Sequence, residues 1–375
     1  MHRLRGARTA VVRAISVSFR PSNVNASDAS LQVPHPPAAP AEASFPRLVA
    51  DIGGTNARFG WLDEPGAPVT QVRKLSVPAF AGPGEAARSY LDTLQAELGA
   101  AYRPPRHAAF AVATAVAGDR IAFTNSHWAF SRSQVQHSLG LRSLLMLNDF
   151  ESLALSLPCL GEPQLRRHPG GAIGTPLSAA GCLLAVVGPG TGLGVGAVVR
   201  TRGGWVALPG EGGHATLAPA DDLESAVLAQ VRRQFAHVSA ERLLSGIGLP
   251  VLHQALGAVQ GAAPAALSAA QIVDSGNDAS DALCGQTLDL FCALLGGFAG
   301  NVALTLGARG GLFIGGGIAP RFAERFFASA FRERFEAKGR FCGYLQAIPT
   351  ALITDTLAAL TGAALAIEQQ VALGN

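Results

Sequence analysis

Hydrophobic positions along the chain come in short runs punctuated by glycine. RLVADIG (47–53) and ARFGWL (57–62) are joined by a Gly-Gly-Thr-Asn turn, which predicts a hairpin. A helix is expected near 84–98 and a strand at 107–116. LLMLND (144–149) reads as a buried strand that runs directly into a helix at 150–157. The pattern then restarts. CLLAVVG (182–188) and VGAVVR (195–200) form a second pair of strands around a glycine turn, followed by a third strand at 204–208. Helices are expected near 221–236, 240–245 and 249–257. A long apolar helix at 281–307 leads into the strand GLFIG (311–315), and a strand at 348–354 precedes a helix at 356–372. Antiparallel groups that give way to alternating strands and helices predict α/β or α+β layers. The restart puts Gly53-Gly54-Thr55 and Pro189-Gly190-Thr191-Gly192 at equivalent places, which points to one unit used twice.

Composition narrows the class. The chain has 375 residues, 49% of them apolar and 15% charged, enough for two domains with cores of their own. The net charge of +3 resides in residues 1–45, where five arginines face only Asp28 and Glu42. The remainder is neutral, so no basic body is available for nucleic acid or an anionic membrane. Residues 1–45 end in VPHPPAAPAEAS and read as a disordered N-terminal extension. The first 25 residues are rich in Arg and Ser and poor in acids, which leaves an organellar address as the minor alternative to a cytoplasmic one. Five widely spaced cysteines contain no CxxC pair, against both a zinc site and a disulfide framework. Two uncharged stretches bear on membranes. Residues 169–199 are broken by glycines, and residues 290–308, long enough to span, read as a buried core helix containing Asn301 and Thr305.

The glycine turns are candidate phosphate cradles, because backbone N–H groups approach closely where no Cβ intervenes. A plain hairpin turn is the alternative for each. A P-loop is excluded: the only lysines, Lys74 and Lys338, lie outside any Gly-Lys-Ser/Thr sequence. The dinucleotide-like spacing Gly192–Ala197 leads into a strand pattern rather than a helix, so that reading fails too. Phosphate charge would then fall to backbone amides, Mg²⁺ and Arg58. Asn148 and Asp149 end a strand, where a carboxylate either faces a ligand crevice or caps the next helix; both readings stay open. Glu211 and His214 sit in the loop GEGGH, and Glu241 opens ERLLSGIGL, where an acid suits the first turn of a helix in any case. Asn125 lies in the polar cluster TNSHW, whose Trp128 packs against a ligand or in the core.

ADIGGTNARFGWL, TNSHWAFS, LLMLNDFESLALSLP, VVGPGTGLGVG, LPGEGGHATLAP, ERLLSGIGLPVLHQAL, LFIGGGIAP and TDTLAALTGAA, in this order, closely resemble bacterial glucokinases over roughly residues 46–372. The resemblance implies a two-domain actin-like ATPase (ribonuclease H-like) α/β fold with an interdomain cleft. It also implies a homodimer and ATP-dependent phosphorylation of D-glucose. The expected division is a small domain of residues 46–159 plus 353–375 and a large domain of 160–352. By residue match, Ala50, Asp51, Ile52, Gly53, Gly54, Thr55 and Asn56 form the first phosphate loop, with Asp51 near Mg²⁺ through water. Gly190, Thr191 and Gly192 form the second, and Gly315, Gly316 and Gly317 the adenosine loop. Asp149 matches the catalytic base and is also a sugar contact, with Asn125, Asn148, Glu211, His214 and Glu241. The alternatives are a kinase for mannose or glucosamine and a non-catalytic sugar-sensing regulator.

The tail gives the first test. A chain begun at Ala43 should keep the parent's activity and melting temperature, because a Pro/Ala linker of this composition carries no core. Loss of either would show that the tail packs on the folded part.

Overall fold

The computed structural model describes residues 45–123, 126–169 and 177–374. The first half runs β1 (Arg47–Ile52), β2 (Asn56–Leu62), β3 (Thr70–Ser76), α1 (Pro83–Leu98), β4 (His107–Val112), β5 (Arg120–Ala122), β6 (Ala129–Ser131), α2 (Arg132–Ser138), β7 (Ser143–Asn148) and α3 (Asp149–Ser156). The second half runs β8 (Leu165–Arg167), β9 (Leu183–Pro189), β10 (Leu193–Thr201), β11 (Gly204–Leu208), α4 (Asp222–Val231), α5 (Leu249–Val259), α6 (Ala269–Asn277), α7 (Ala282–Leu306) and β12 (Gly311–Ile314). It closes with α8 (Ala323–Ala328), α9 (Phe331–Glu336), α10 (Cys342–Gln346), β13 (Thr350–Ile353) and α11 (Ala358–Ala372).

The two halves share one sheet plan. The first sheet has the order β3-β2-β1-β4-β7, with the β1–β2 and β2–β3 pairs antiparallel and the β1–β4 and β4–β7 pairs parallel. The second has the order β11-β10-β9-β12-β13-β8, with the same sequence of pairings and β8 added antiparallel at its edge. What two similar glycine turns hinted at is therefore the repetition of a five-stranded unit. The turns themselves are the β1–β2 and β9–β10 connections.

Several elements carry no clear period and escape the sequence reading. β3, TQVRKLS, is a half-exposed edge strand, and β5, β6 and α8–α10 are too short for periodicity to register. The helix expected at 240–245 does not form; the segment is a run of turns. Its continuation is spent elsewhere: Gly246 N–H donates to Gly190 O at 2.7 Å and Ile247 N–H to Thr191 O at 3.3 Å. α7 is long and apolar enough to cross a bilayer, but Leu288, Phe291 and Leu295 are fully buried in the core behind the second sheet.

The helices that follow the two outermost parallel strands change places. α3 leaves the first sheet, yet its Ala154 and Leu155 cluster with Leu184, Val186 and Val198 of the second. α11 leaves the second sheet, and its Leu360, Ala363, Ala364 and Ile367 cluster with Val49, Leu62 and Ala109 of the first. The helices touch at Gly362, where an added Cβ would lie 1.6 Å from Ser152 O. Ser152 Oγ seals the contact by donating to Ala359 O at 2.7 Å.

Gly362→Ala should therefore lower the unfolding free energy by about 1–3 kcal/mol or more through overpacking. Gly297→Ala, inside α7 with open space at its Cβ, should instead raise it by about 0.5–1 kcal/mol. Denaturant melts of both variants decide; a Gly362→Ala protein as stable as the parent would contradict the close helix crossing.

Candidate active site

The second glycine turn is shaped by what surrounds it. A Cβ at Gly188 or Gly194 would strike the Phe150 ring at 2.5 Å and 2.0 Å, and one at Gly196 would meet Phe150 O at 2.6 Å. These three glycines make room for the start of α3. At Gly192 a Cβ would lie 2.4 Å from Glu241 Oε2, whereas at Gly190 the nearest atom is 3.9 Å away. The third glycine run lies against the same turn. Gly316 has φ +75°, and a Cβ there would approach Pro189 O to 2.3 Å; Gly315 N–H donates to Val187 O at 2.9 Å. Gly317 faces open space. The turns expected to bind phosphate and adenosine are thus neighbours, and part of their glycine content serves packing.

Phe150 follows Asp149, so the same contact sets where that carboxyl sits. Asn148, not Asp149, caps α3. Asn148 Oδ1 accepts from Phe150 N–H at 2.9 Å, and Glu151 Oε2 accepts from Asn148 N–H at 2.9 Å, a capping box. Asn148 Nδ2 donates to Thr114 O at 3.2 Å. Of the two open readings for Asp149, the cap falls away. Its Oδ1 also lies 3.0 Å from Phe150 N–H, and a helix N-terminus favours charge there. Burial outweighs this, helped by the negative charges of Asp51 and Glu211, and pushes the carboxyl up to about 7.

Asp51, on β1, is the first of these neighbours. Its carboxyl is raised by burial, opposed by Arg58, whose Nη1 lies 3.1 Å from Asp51 Oδ2. Asp51 and Arg58 are register partners across the β1–β2 ladder, which puts the guanidinium beside the carboxylate. At the turn, Gly53 N–H closes onto Asn56 O at 2.9 Å and Thr55 is exposed. No cluster of three or more His, Cys, Asp or Glu side chains placed for a metal occurs among the described residues.

Glu211 and His214 lie in a short 3₁₀ turn, as the glycines around them suggest. A Cβ at Gly213 would sit 1.9 Å from Leu193 O, so the turn lies flat on β10 and leaves both side chains exposed. Glu241 is next to them, with Oε1 3.9 Å from His214 Nδ1. The dipole reading of Glu241 is corrected, since no helix begins there; its Oε2 accepts from Leu193 N–H at 2.9 Å. Trp128 belongs to the core: it is 1% exposed and donates Nε1–H to Phe80 O at 2.9 Å. Asn125 lies outside the described residues. Sequence reasoning missed Phe150, whose only signal is the glycine pattern at 188, 194 and 196 around one hairpin.

The chain can be set beside known proteins. The family model described as Glucokinase matches residues 48–370. A curated glucokinase of Chromobacterium violaceum is 47% identical over 321 residues, covering 86% of this chain and 89% of that protein. One of Aromatoleum aromaticum is 47% identical over 329 residues, covering 88% and 96%. The solved structure of a glucokinase from an Antarctic psychrotroph has a TM-score of 0.77 at 36% identity, covering 86% of this chain and 98% of that one.

The Asp149 carboxyl has a stability consequence. Its folded value, about 7, lies above the ordinary 3.8, so the folded state holds the proton more tightly than the unfolded state does. The penalty is absent below about pH 4, grows from there to about pH 7 and is complete above it. Asp149→Asn, free of ligand and metal, should be more stable than the parent at pH 8, by up to about 4 kcal/mol, and equal to it at pH 4. Thermal melts at the two pH values check this; an equal difference at both would contradict it.

Proposed function

The chain belongs to the glucokinase family, and on that premise we propose how its residues carry out the reaction. The protein is an enzyme of the actin-like ATPase fold that transfers the γ-phosphoryl group of ATP to the C6 hydroxyl of D-glucose, giving ADP and glucose 6-phosphate. Asp149 is the general base. As the C6 oxygen attacks the γ-phosphorus in line, its proton passes to the Asp149 carboxylate and the bond to the ADP oxygen breaks. The observation that carries this reading is the state of that carboxyl: at the end of β7, relieved of capping duty and raised to about 7, it is matched to accept a proton near neutral pH.

Phosphates rest on the amides of the 53–56 and 190–192 turns, and adenosine at 315–317. Glu211, His214, Glu241, Asn148 and Asn125 hold the sugar hydroxyls. Support comes from the electrostatic proximity of Glu211 to Asp149 and from the exposure of Glu211 and His214. Mg²⁺ fits the donor set, because it takes one or two carboxylates plus phosphate oxygens rather than a full protein cage. Asp51 would hold it through water, and the ion would neutralise phosphate charge. Arg58 holds Asp51 in place and favours its ionised form against burial.

Residues 46–159 with 353–375 form one domain of the proposed division and 160–352 the other. The exchanged helix α11 supports this division, since it packs on the first sheet although it follows the second. The enzyme acts as a cytoplasmic homodimer, in keeping with its family.

A coupled ADP-release assay over glucose, mannose and glucosamine tests the reading. Glucose should give the highest kcat/KM. Asp149→Asn should lower kcat by about 10²–10⁴ while the KM for glucose moves little. A folded variant with more than half the parent kcat would remove Asp149 from the role of base.

A further inference from the structure

The 190–192 turn is held from behind by one side chain. Glu241 Oε2 accepts the N–H of Leu193, the first residue of β10 after the turn, at 2.9 Å. The backbone N–H of Glu241 donates to Gly213 O at 2.9 Å, so the same residue also grips the loop that carries Glu211 and His214. Its own carbonyl is engaged by Ser245 Oγ at 2.7 Å, and the following amides of Gly246 and Ile247 donate to Gly190 O and Thr191 O. The glycine turn thus leans on residues 241–247, with the Glu241 carboxylate bonded to the strand residue that follows it. Nor can Gly192 be anything else without moving it, since a Cβ there would lie 2.4 Å from Oε2.

We propose that Glu241 is a positioning residue for the second glycine turn, setting the turn's amides for phosphate and tying them to the 211–214 loop. The proposal rests on the reading that this turn carries the phosphates of the nucleotide. It goes beyond a sugar contact, because it makes nucleotide affinity depend on Glu241 when no sugar is present. The two carboxylate oxygens divide the work. Oε2 holds the turn, and Oε1, 3.9 Å from His214 Nδ1, is turned toward the 211–214 loop.

The test is the affinity for ADP measured without sugar, beside the KM for glucose. Glu241→Ala removes the acceptor and should weaken ADP binding on the order of 10-fold, the loss expected for a hydrogen bond to a charged group. Glu241→Gln keeps an acceptor oxygen for Leu193 N–H. It should restore ADP affinity while leaving the KM for glucose raised, a split that general loss of structure does not produce. Gly192→Ala leaves Glu241 in place but presses a methyl against Oε2; it should weaken ADP binding as Glu241→Ala does, and it decides the matter if Glu241→Ala fails to fold. Parent-like ADP affinity in Glu241→Ala, or in Gly192→Ala where the first variant does not fold, overturns the proposal. Gly190→Ala, which adds a methyl to open space on the turn, separates the two levels of the argument. If it alone weakens ADP binding, the turn holds nucleotide and the role of Glu241 fails. If none of the variants changes ADP binding, the assignment of the turn to phosphate fails with it.

Discussion

The close contact between α3 and α11 constrains everything at the site. Each helix emerges from one sheet and buries its apolar face on the other, so neither sheet completes its packing alone. Large aliphatic side chains such as Leu360 and Ile367 contribute on the order of 1.5–3 kcal/mol each when fully buried. That energy is available only if the backbones meet, and they meet because residue 362 has no side chain. A glycine inside a helix costs about 0.5–1 kcal/mol in propensity, which the close approach outweighs.

The same geometry explains the electrostatics. Because α3 lies on the second sheet, its first residues are pressed against the β9–β10 hairpin, and Phe150 fills the space vacated by Gly188, Gly194 and Gly196. Asp149 is carried there with it, largely withdrawn from water and near the charges of Asp51 and Glu211. A carboxyl placed for stability alone would sit at the cap position, which Asn148 takes instead. The chain accepts an unfavourable charge at this point, as sites built for proton transfer do.

Much of this was legible beforehand, and the reasons for the rest are physical. The ordered motifs identified the family, and the two glycine turns correctly marked equivalent hairpins. Long apolar elements such as α7, β9 and β10 announced themselves by period and length. Edge strand β3 did not, because its side chains are half exposed and do not alternate cleanly. The segment 240–245 looked helical from its apolar spacing, but the amides of Ala240 and Glu241 pair with Ala215 O and Gly213 O, and the amides that follow, of Gly246 and Ile247, pair with the glycine turn, tertiary bonds no local pattern reveals. At the site, residue types were readable and partners were not. The sequence offered Asn148-Asp149 as base or cap; only the side-chain bonds separate the two residues' duties. Glycines 188 and 194 make room for the Phe150 ring and Gly196 for the Phe150 carbonyl, a packing use that their place around a ligand turn did not reveal.

Asp149 is a carboxyl that the fold keeps from ionising easily. Its titration can be followed directly by carbon-13 NMR of the side-chain carboxyl in the ligand-free, metal-free protein, with the resonance assigned by its absence from Asp149→Asn. The account predicts a midpoint of about 7. A midpoint at the ordinary value near 4 would mean that the carboxyl is solvated, and would contradict both its placement against the second hairpin and its selection as the base.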